Sequence, residues 1–365
     1  MESLKTTRQI KAKLHQQLKL LEPYEQCALL DVTDGFRNLG SQALWLSAVL
    51  LVADFLKIKI KYTTSLRHFS DQAMSQRIGN GPIFIRGGFI SDHFEGTGSK
   101  RQELIEHLVT THLNPIIFLP QSIYFRDPAN LARCAKYFNG HSALTLFTRE
   151  NVSFELAKRH FSNCRIINAP DSVFHLAGLF GQDITSKNQQ NILYLRRTEL
   201  VPEHQVQSST FSQGTVQTDD WISYRWQYSK AWLPGSARLY RQLWQRGMAT
   251  PHEVMARLKW HLSLGRLPVY QHALEAFSAT HSALYQLSQY KMVITNRLHG
   301  HIMATLLDIP NILLPDPRQH YMKATYDAWT HNLPGCRYAE TERDAKIALT
   351  ELLAAIDQFL LPAPQ

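Results

Sequence analysis

The sequence predicts an α/β protein made of two doubly wound parallel sheets, lying in two lobes that face each other across a cleft. Three observations lead there. Short apolar runs of strand length alternate with stretches of helical periodicity, the pattern of parallel strands covered by helices on both faces. The chain has 365 residues, more than one domain usually holds. The alternation also breaks once, where residues 181–190 turn polar, and then resumes. Such sheets bind ligands beyond the carboxyl ends of their strands, so the chemistry is expected in the loops that follow them.

Residues 1–22 set Lys5, Arg8, Lys11, Lys13 and Lys19 among Leu4, Ile10, Leu14, Leu18 and Leu21. This is a basic amphipathic helix, placed as an N-terminal arm over 1–24. It is read either as a helix docked on the body or as a contact with a membrane surface. The first lobe, 25–185, is expected to hold strands at 28–32, 58–62, 82–86, 115–119, 143–147 and 165–167, with helices at 42–56, 101–113 and 153–161. The longest apolar run, 43–53, contains Ser47 and ends at Asp54. It is too short to span a bilayer and predicts a buried helix. The second lobe, 186–340, opens with a strand at 191–195 and a polar loop at 201–220. Helices at 252–264 and 273–289, a strand at 291–294, a helix at 301–307 and a strand at 311–314 follow. A C-terminal helix at 342–360 lies in the last unit, 341–365.

Hydrophobic residues make up 44% of the chain, enough for packed cores, so wholesale disorder is excluded. Lys and Arg total 39 against 30 Asp and Glu, a net charge of +9 that suits an anionic partner without choosing one. Cys27, Cys134, Cys164 and Cys336 show no C-x-x-C spacing, so neither a disulfide framework nor a structural zinc is expected, and a cytoplasmic location is the natural reading. The first residues lack the apolar core of a signal peptide. His252-Glu253 opens like a zinc-protease motif, but Ala256 stands where the second histidine belongs. The stretch Gly96-Thr97-Gly98-Ser99-Lys100 lacks the ending of a phosphate loop; it reads as an anion-binding helix start or an ordinary capped loop. No nucleophile elbow and no aromatic–basic RNA signature is present, so no nucleic-acid partner is expected. No metal-ligand cluster is visible.

The richest segment runs from Val293 through Arg297, His299 and Gly300 to His301, an apolar strand passing into a polar loop and a helix. In an extended segment Arg297 and His299 would point the same way. A guanidinium fork suits carboxylate or phosphate, an imidazole can move a proton near neutral pH, and Gly300 would let the backbone approach a ligand.

Here the chain resembles the polysaccharide pyruvyl transferases. Arg297-Leu298-His299-Gly300 after a strand is similar to that family's most recognisable feature. Leu119-Pro120-Gln121-Ser122, Thr148-Arg149-Glu150 with Ser153, Ala169-Pro170-Asp171, Arg196-Arg197-Thr198-Glu199, and Asp316 with Tyr321, Lys323 and Trp329 follow in the family's order. Two pieces depart from it. Ser41 replaces an acid in Asn38-Leu39-Gly40-Ser41, and Arg86-Gly87-Gly88-Phe89 stands for a glycine-rich G-G-G-N.

The resemblance implies a glycosyltransferase-B-like pair of Rossmann-like lobes. It also implies transfer of pyruvate from phosphoenolpyruvate, as a ketal, to two hydroxyls of a bacterial surface-polysaccharide sugar. No cofactor or metal is implied; phosphoenolpyruvate is itself the donor substrate. Acceptors in the family are commonly lipid-linked, which would bring the enzyme to the inner membrane face. Arg297 and Arg197 are expected to clamp the donor, with Arg196 as the alternative to Arg197, and His299 to act as general acid or phosphate ligand. Gly300 and Lys323 complete the donor side, Lys323 being read equally as a solvated lysine. Asp92 and Asp171 are base candidates, though Asp171 fits a helix cap as well. Asn38 and Gln121 are assigned to the acceptor side, and Arg149 with Glu150 to a structural ion pair. A nucleotide-sugar glycosyltransferase of the same fold and a non-catalytic scaffold of polysaccharide assembly are the alternatives. The acceptor sugar, its hydroxyl pair and the oligomeric state are not legible.

Overall fold

The computed structural model describes residues 4–32, 38–66, 68–92, 97–180, 191–197, 216–221, 269–316 and 321–360. The helix expected at 252–264, the polar break at 181–190 and most of the stretch 201–220 lie outside these residues.

The chain opens with helix α1 (Thr7–Leu18), started by a capping box between Thr6 and Gln9. Seven parallel strands then form the first sheet: β1 (Gln26–Val32), β2 (Lys59–Ser65), β3 (Ile83–Ile85), β4 (Gly88–Ser91), β5 (Ile116–Tyr124), β6 (Leu144–Thr148) and β7 (Arg165–Asn168). Their order is β2-β1-β3-β5-β6-β7, with β4 beside the far half of β5. Ile85 faces Phe118 and Gly88 faces Gln121, so β3 and β4 keep one register on β5 and are a single line interrupted at Arg86-Gly87. Between the strands run α2 (Leu39–Leu50), α3 (Asp71–Ile78), α4 (Thr97–Thr111), α5 (Pro128–Gly140) and α6 (Asn151–His160). Parallel neighbours require such crossovers. The sequence pattern missed α3, α5 and β4, all short or weakly apolar.

The second sheet is also parallel, in the order β12-β11-β10-β8-β9, from β8 (Ile192–Leu195), β9 (Val216–Asp219), β10 (Met292–Thr295), β11 (Asn311–Leu313) and β12 (Cys336–Tyr338). It is joined by α7 (Val269–Ser288), α8 (Leu298–Leu306), α9 (Tyr321–Thr325) and α10 (Glu342–Leu360). The edge strand β9 corrects the loop expected over 201–220: Val216-Gln217-Thr218-Asp219 carries no apolar alternation to announce it.

Alternate residues of each strand enter opposite cores, as a period of two demands. Leu29 of β1 and Leu193 and Leu195 of β8 share one cluster that also contains every apolar side chain of α2. Ala28 and Leu30 enter a second cluster on the other face of the first sheet. Ile192 and Tyr194 enter a third, covered by Ala345, Leu349 and Leu352 of α10. Burial on both faces explains why the strands read as continuous apolar runs. The run at 43–53 is this buried helix α2, and no helix among the described residues is long and apolar enough to cross a membrane.

Helix α1 docks on the body through Ile10, Leu14 and Leu18, all fully buried, each contributing about 1.5–3 kcal/mol. Lys11 Nζ donates to the carbonyl of Ala177 at 2.8 Å, and His15 Nε2 lies 2.8 Å from His175 Nδ1 while its ring stacks on Phe55. These contacts press α1 against the 3₁₀ turn Ser172–Leu176. Burial, with Lys11 adjacent, lowers His15 to about 4 and His175 to about 3. The stability supplied by this neutral pair is complete above the ordinary value of 6.5 and is lost as pH falls from there towards about 3. Thermal unfolding should therefore drop in temperature across that window, and drop less steeply in a His15→Phe variant; parallel slopes would refute the assignment.

Candidate active site

Functional side chains gather where strands of both sheets end. After β10, Asn296 and Arg297 turn into α8, with Arg297 at the N-cap in extended backbone, φ −115° and ψ 119°. The Thr295 hydroxyl holds the turn, donating to the carbonyl of Leu195 at 2.8 Å and accepting the Arg297 amide at 3.0 Å. Because α8 starts at Leu298 and not at residue 301, His299 stands in its first turn. The expected common direction of Arg297 and His299 is thereby corrected. Arg297 Nη2 reaches Asp220 beyond β9, 2.7 Å from Oδ2, whereas His299 Nε2 faces Asp171 Oδ2 beyond β7, at 3.6 Å.

Gly300 also has a different use from the one expected. A Cβ there would lie 2.7 Å from Thr295 Oγ1 and 2.9 Å from Leu195 Cδ2, so the glycine lets α8 pack onto β10 and β8. The position that serves the imidazole is Gly40, in α2. A Cβ on Gly40 would stand 2.6 Å from the Cβ of His299 and 2.7 Å from its Nδ1.

Asp171 is wholly buried. Its Oδ1 accepts the Val173 amide at 2.9 Å, capping the 3₁₀ turn, and its Oδ2 accepts Arg149 Nη1 at 2.8 Å. Burial alone would raise its pKa, but His299, Arg149 and the Val173 amide outweigh it and hold the carboxyl well below the usual range. A carboxylate so engaged is a poor proton acceptor. Its Oδ2 faces His299 Nε2 at 3.6 Å, longer than a hydrogen bond. Burial lowers the pKa of His299, and Arg149 and Arg86 lower it further against the pull of Asp171, leaving the ring neutral near pH 7.

Arg149, fully buried, is the residue whose role the sequence understated. Its partner is Asp171, not Glu150, which caps α6 by accepting the Ser153 amide at 2.8 Å. Arg149 Nε donates to Ser122 Oγ at 2.7 Å, and its carbonyl accepts Trp329 Nε1 at 2.7 Å. Its guanidinium lies 4.7 Å from the centroid of Phe89 and 4.9 Å from that of Tyr321. Tyr321 is within electrostatic reach of Arg149, Asp171, Arg197 and Asp316, which joins these residues into one group. Arg197 Nε is 3.4 Å from Asp316 Oδ2, and its amide donates to Asn296 Oδ1 at 2.9 Å. Arg196, beside it, donates its amide to the carbonyl of Asp219. Thr198 and Glu199 lie outside the described residues.

Behind this group lies a buried network around Asp31, which adopts the left-handed φ of 72° uncommon outside glycine, asparagine and aspartate. Arg86 Nη2 and Arg101 Nε both donate to Asp31 Oδ2, at 2.9 and 2.7 Å. Gln121, expected on the acceptor side, is buried here instead; its Nε2 donates to the Arg86 carbonyl at 2.8 Å and its Oε1 accepts from Arg101. The Pro120-Gln121-Ser122 piece is thus scaffolding for arginines.

Three expected residues stand apart. Lys323 is exposed and paired with Asp327 one turn on, Nζ to Oδ2 at 2.7 Å. Asp92 accepts the amides of Arg126 and Asp127 at 2.9 and 3.0 Å and Asn130 Nδ2 at 3.1 Å. Burial opposes these bonds but they prevail, holding Asp92 ionised below its ordinary range as an anchor for the loop before α5. Asn38 is exposed at the N-cap of α2, without a side-chain capping bond.

Fold and site together define an α/β protein with parallel sheets and a carboxylate-paired imidazole among guanidinium groups at the strand ends. Residues 38–316 match the polysaccharide pyruvyl transferase family, and the chain belongs to it. It is 27% identical over 241 residues to EpsO of Bacillus subtilis, a protein named for pyruvyl transfer; that match covers 64% of this chain and 65% of EpsO, under two thirds of the relative. It is 22% identical over 312 residues to Pyruvyl transferase 1 of Schizosaccharomyces pombe, across 82% of this chain and 68% of that one. A crystal structure of an uncharacterised Klebsiella pneumoniae protein shares the fold with a TM-score of 0.55 at 17% identity, covering 91% of this chain and 99% of that one.

The two glycines separate packing from chemistry. Gly300→Ala should cost stability, about 1–3 kcal/mol by overpacking, measurable by denaturant unfolding. Gly40→Ala should displace the His299 ring and abolish most activity in a protein that still folds; a fully active Gly40→Ala enzyme would contradict the placement.

Proposed function

We propose that the protein transfers the pyruvyl group of phosphoenolpyruvate to two hydroxyls of a sugar in a polysaccharide or its lipid-linked precursor, forming a cyclic ketal and releasing phosphate. The observation that carries this is that His299, facing Asp171 at 3.6 Å, and the ion-paired Arg149, Arg197 and Arg297 all stand in segments that follow strands of the two sheets. The two sheets are read as two lobes of a glycosyltransferase-B-like arrangement, the first receiving the acceptor and the second the donor. A lipid-linked acceptor would place the work at the cytoplasmic face of a membrane.

Phosphoenolpyruvate concentrates a carboxylate and a phosphate on three carbons. Charge-assisted hydrogen bonds contribute roughly 1.5–3 kcal/mol each, so two or three guanidinium groups offset its desolvation. Arg297 and Arg197 are assigned to these anionic groups. Asp220 and Asp316 hold the two guanidinium groups oriented before the donor arrives.

The reaction needs a proton on the methylene carbon. His299 is neutral without donor, and the donor's negative charge raises its pKa, so a proton is taken up on binding. The imidazolium gives that proton to the methylene carbon, and the neighbouring carbon becomes electrophilic. The first sugar hydroxyl adds there and returns its proton to His299. The second hydroxyl then displaces phosphate, which leaves with the remaining proton, and the ring closes.

Phosphate release from phosphoenolpyruvate with an acceptor oligosaccharide tests the roles. His299→Ala should lose about 10²–10⁴ in rate, the range of a positioned acid or base. Arg297→Lys keeps the charge but loses the planar fork and should also fall steeply; full activity in either variant would remove its assignment. In calorimetry, phosphoenolpyruvate should bind with proton uptake that His299→Gln abolishes, while UDP should not bind. Binding of UDP instead would favour a nucleotide-sugar glycosyltransferase.

A further inference from the structure

Among the described residues, Asp71, His107 and His112 form a second group of convergent ligating atoms, separate from the active site. Asp71 is the first residue of α3, and the cap of that helix is made by its neighbour Ser70, whose Oγ accepts the Ala73 amide. The Asp71 carboxylate is therefore not the capping group. His107 sits in the last turns of α4, and His112 directly follows that helix.

His107 Nε2 meets Asp71 Oδ2 at 2.6 Å and His112 Nε2 meets Asp71 Oδ1 at 2.6 Å. The two rings stand at 82° with centroids 6.2 Å apart, so their Nε2 atoms reach the two oxygens of one carboxylate from different directions. All three ligand atoms fall within 4.8 Å of one another.

We infer that Asp71, His107 and His112 form a binding site for a divalent transition-metal ion of the zinc class. Two imidazoles and one carboxylate are a donor set that zinc accepts, with water filling the remaining positions. The 2.6 Å separations are those of shared protons; a tetrahedral ion with ligands at about 2.0–2.2 Å needs them to open to about 3.3 Å. The side chains of Asp71 and His107 are 44% and 41% exposed, so they can make that small movement and an ion can reach them from solvent. Metal binding takes the Nε2 lone pair of each ring, so the proton each ring shares with Asp71 moves through solvent to Nδ1 or is released to the bulk. The ion would clip the start of α3 to the end of α4, the helix that carries Arg101 and with it Asp31.

The test uses the full chain and zinc alone. After incubation with Zn²⁺ and gel filtration, elemental analysis should find one equivalent bound to the wild type. The His107→Ala/His112→Ala double variant should retain less than a tenth of that. Co²⁺ should give the visible absorption of a low-coordinate site in the wild type only. Zn²⁺ should raise the unfolding temperature of the wild type and not of the variant. Because these residues lie outside the active group, turnover of the variants should equal that of the wild type, which verifies their fold. Should the double variant not fold, Asp71→Asn and His107→Gln, at exposed positions, are read in its place, each lowering zinc affinity at least tenfold. A wild type that retains no zinc, or variants that retain as much, would show a hydrogen-bonded cluster only and overturn the inference.

Discussion

The carboxylate of Asp171 is the constraint around which the active group is built. An ion removed from water costs several kcal/mol unless its partners are well placed. Here the partners are Arg149, the Val173 amide and His299. Arg149 follows β6 of the first sheet, Asp171 follows β7, and His299 belongs to the helix that follows β10 of the second. One buried charge thus ties the ends of both sheets to the imidazole. The arginine that neutralises it is in turn fixed by Ser122, by Trp329 and by two aromatic faces.

The charge balance follows from the same pairing. Arg86, Arg101, Arg149, Arg197 and Arg297 face Asp31, Asp171, Asp220 and Asp316, five guanidinium groups against four carboxylates. Among these described residues the charges nearly balance. Oriented guanidinium groups and an imidazole able to take up a proton meet an anion better than a flexible cluster of lysines, because little reorganisation remains to be done when it arrives.

Much of this was legible in the sequence, and what was not has physical reasons. The parallel α/β class followed from the apolar runs because the strands are buried on both faces. Arg297 and His299 stood out by residue type, but their directions did not, since the helix begins earlier than its apolar period suggests. Asp220 lies after an edge strand whose side chains are largely polar, so no periodicity pointed to it. Arg149 and Gln121 were visible as motif pieces, whereas their place in a buried network depends on strand register that spacing alone does not carry. Lys323 matched a motif and yet faces solvent, because a helical pair with Asp327 satisfies it. The apolar face of α1, read from the sequence as docking on the body or contacting a membrane surface, is buried against the body.

Whether a small polyanion sits between guanidinium groups beside the His299 imidazole is decided by a crystal structure with phosphoenolpyruvate bound. Its phosphate and carboxylate should lie within hydrogen-bonding distance of Arg297 and Arg197, with its methylene carbon facing His299. Density for the donor elsewhere on the protein, with the His299 ring and both arginines untouched, would contradict that placement.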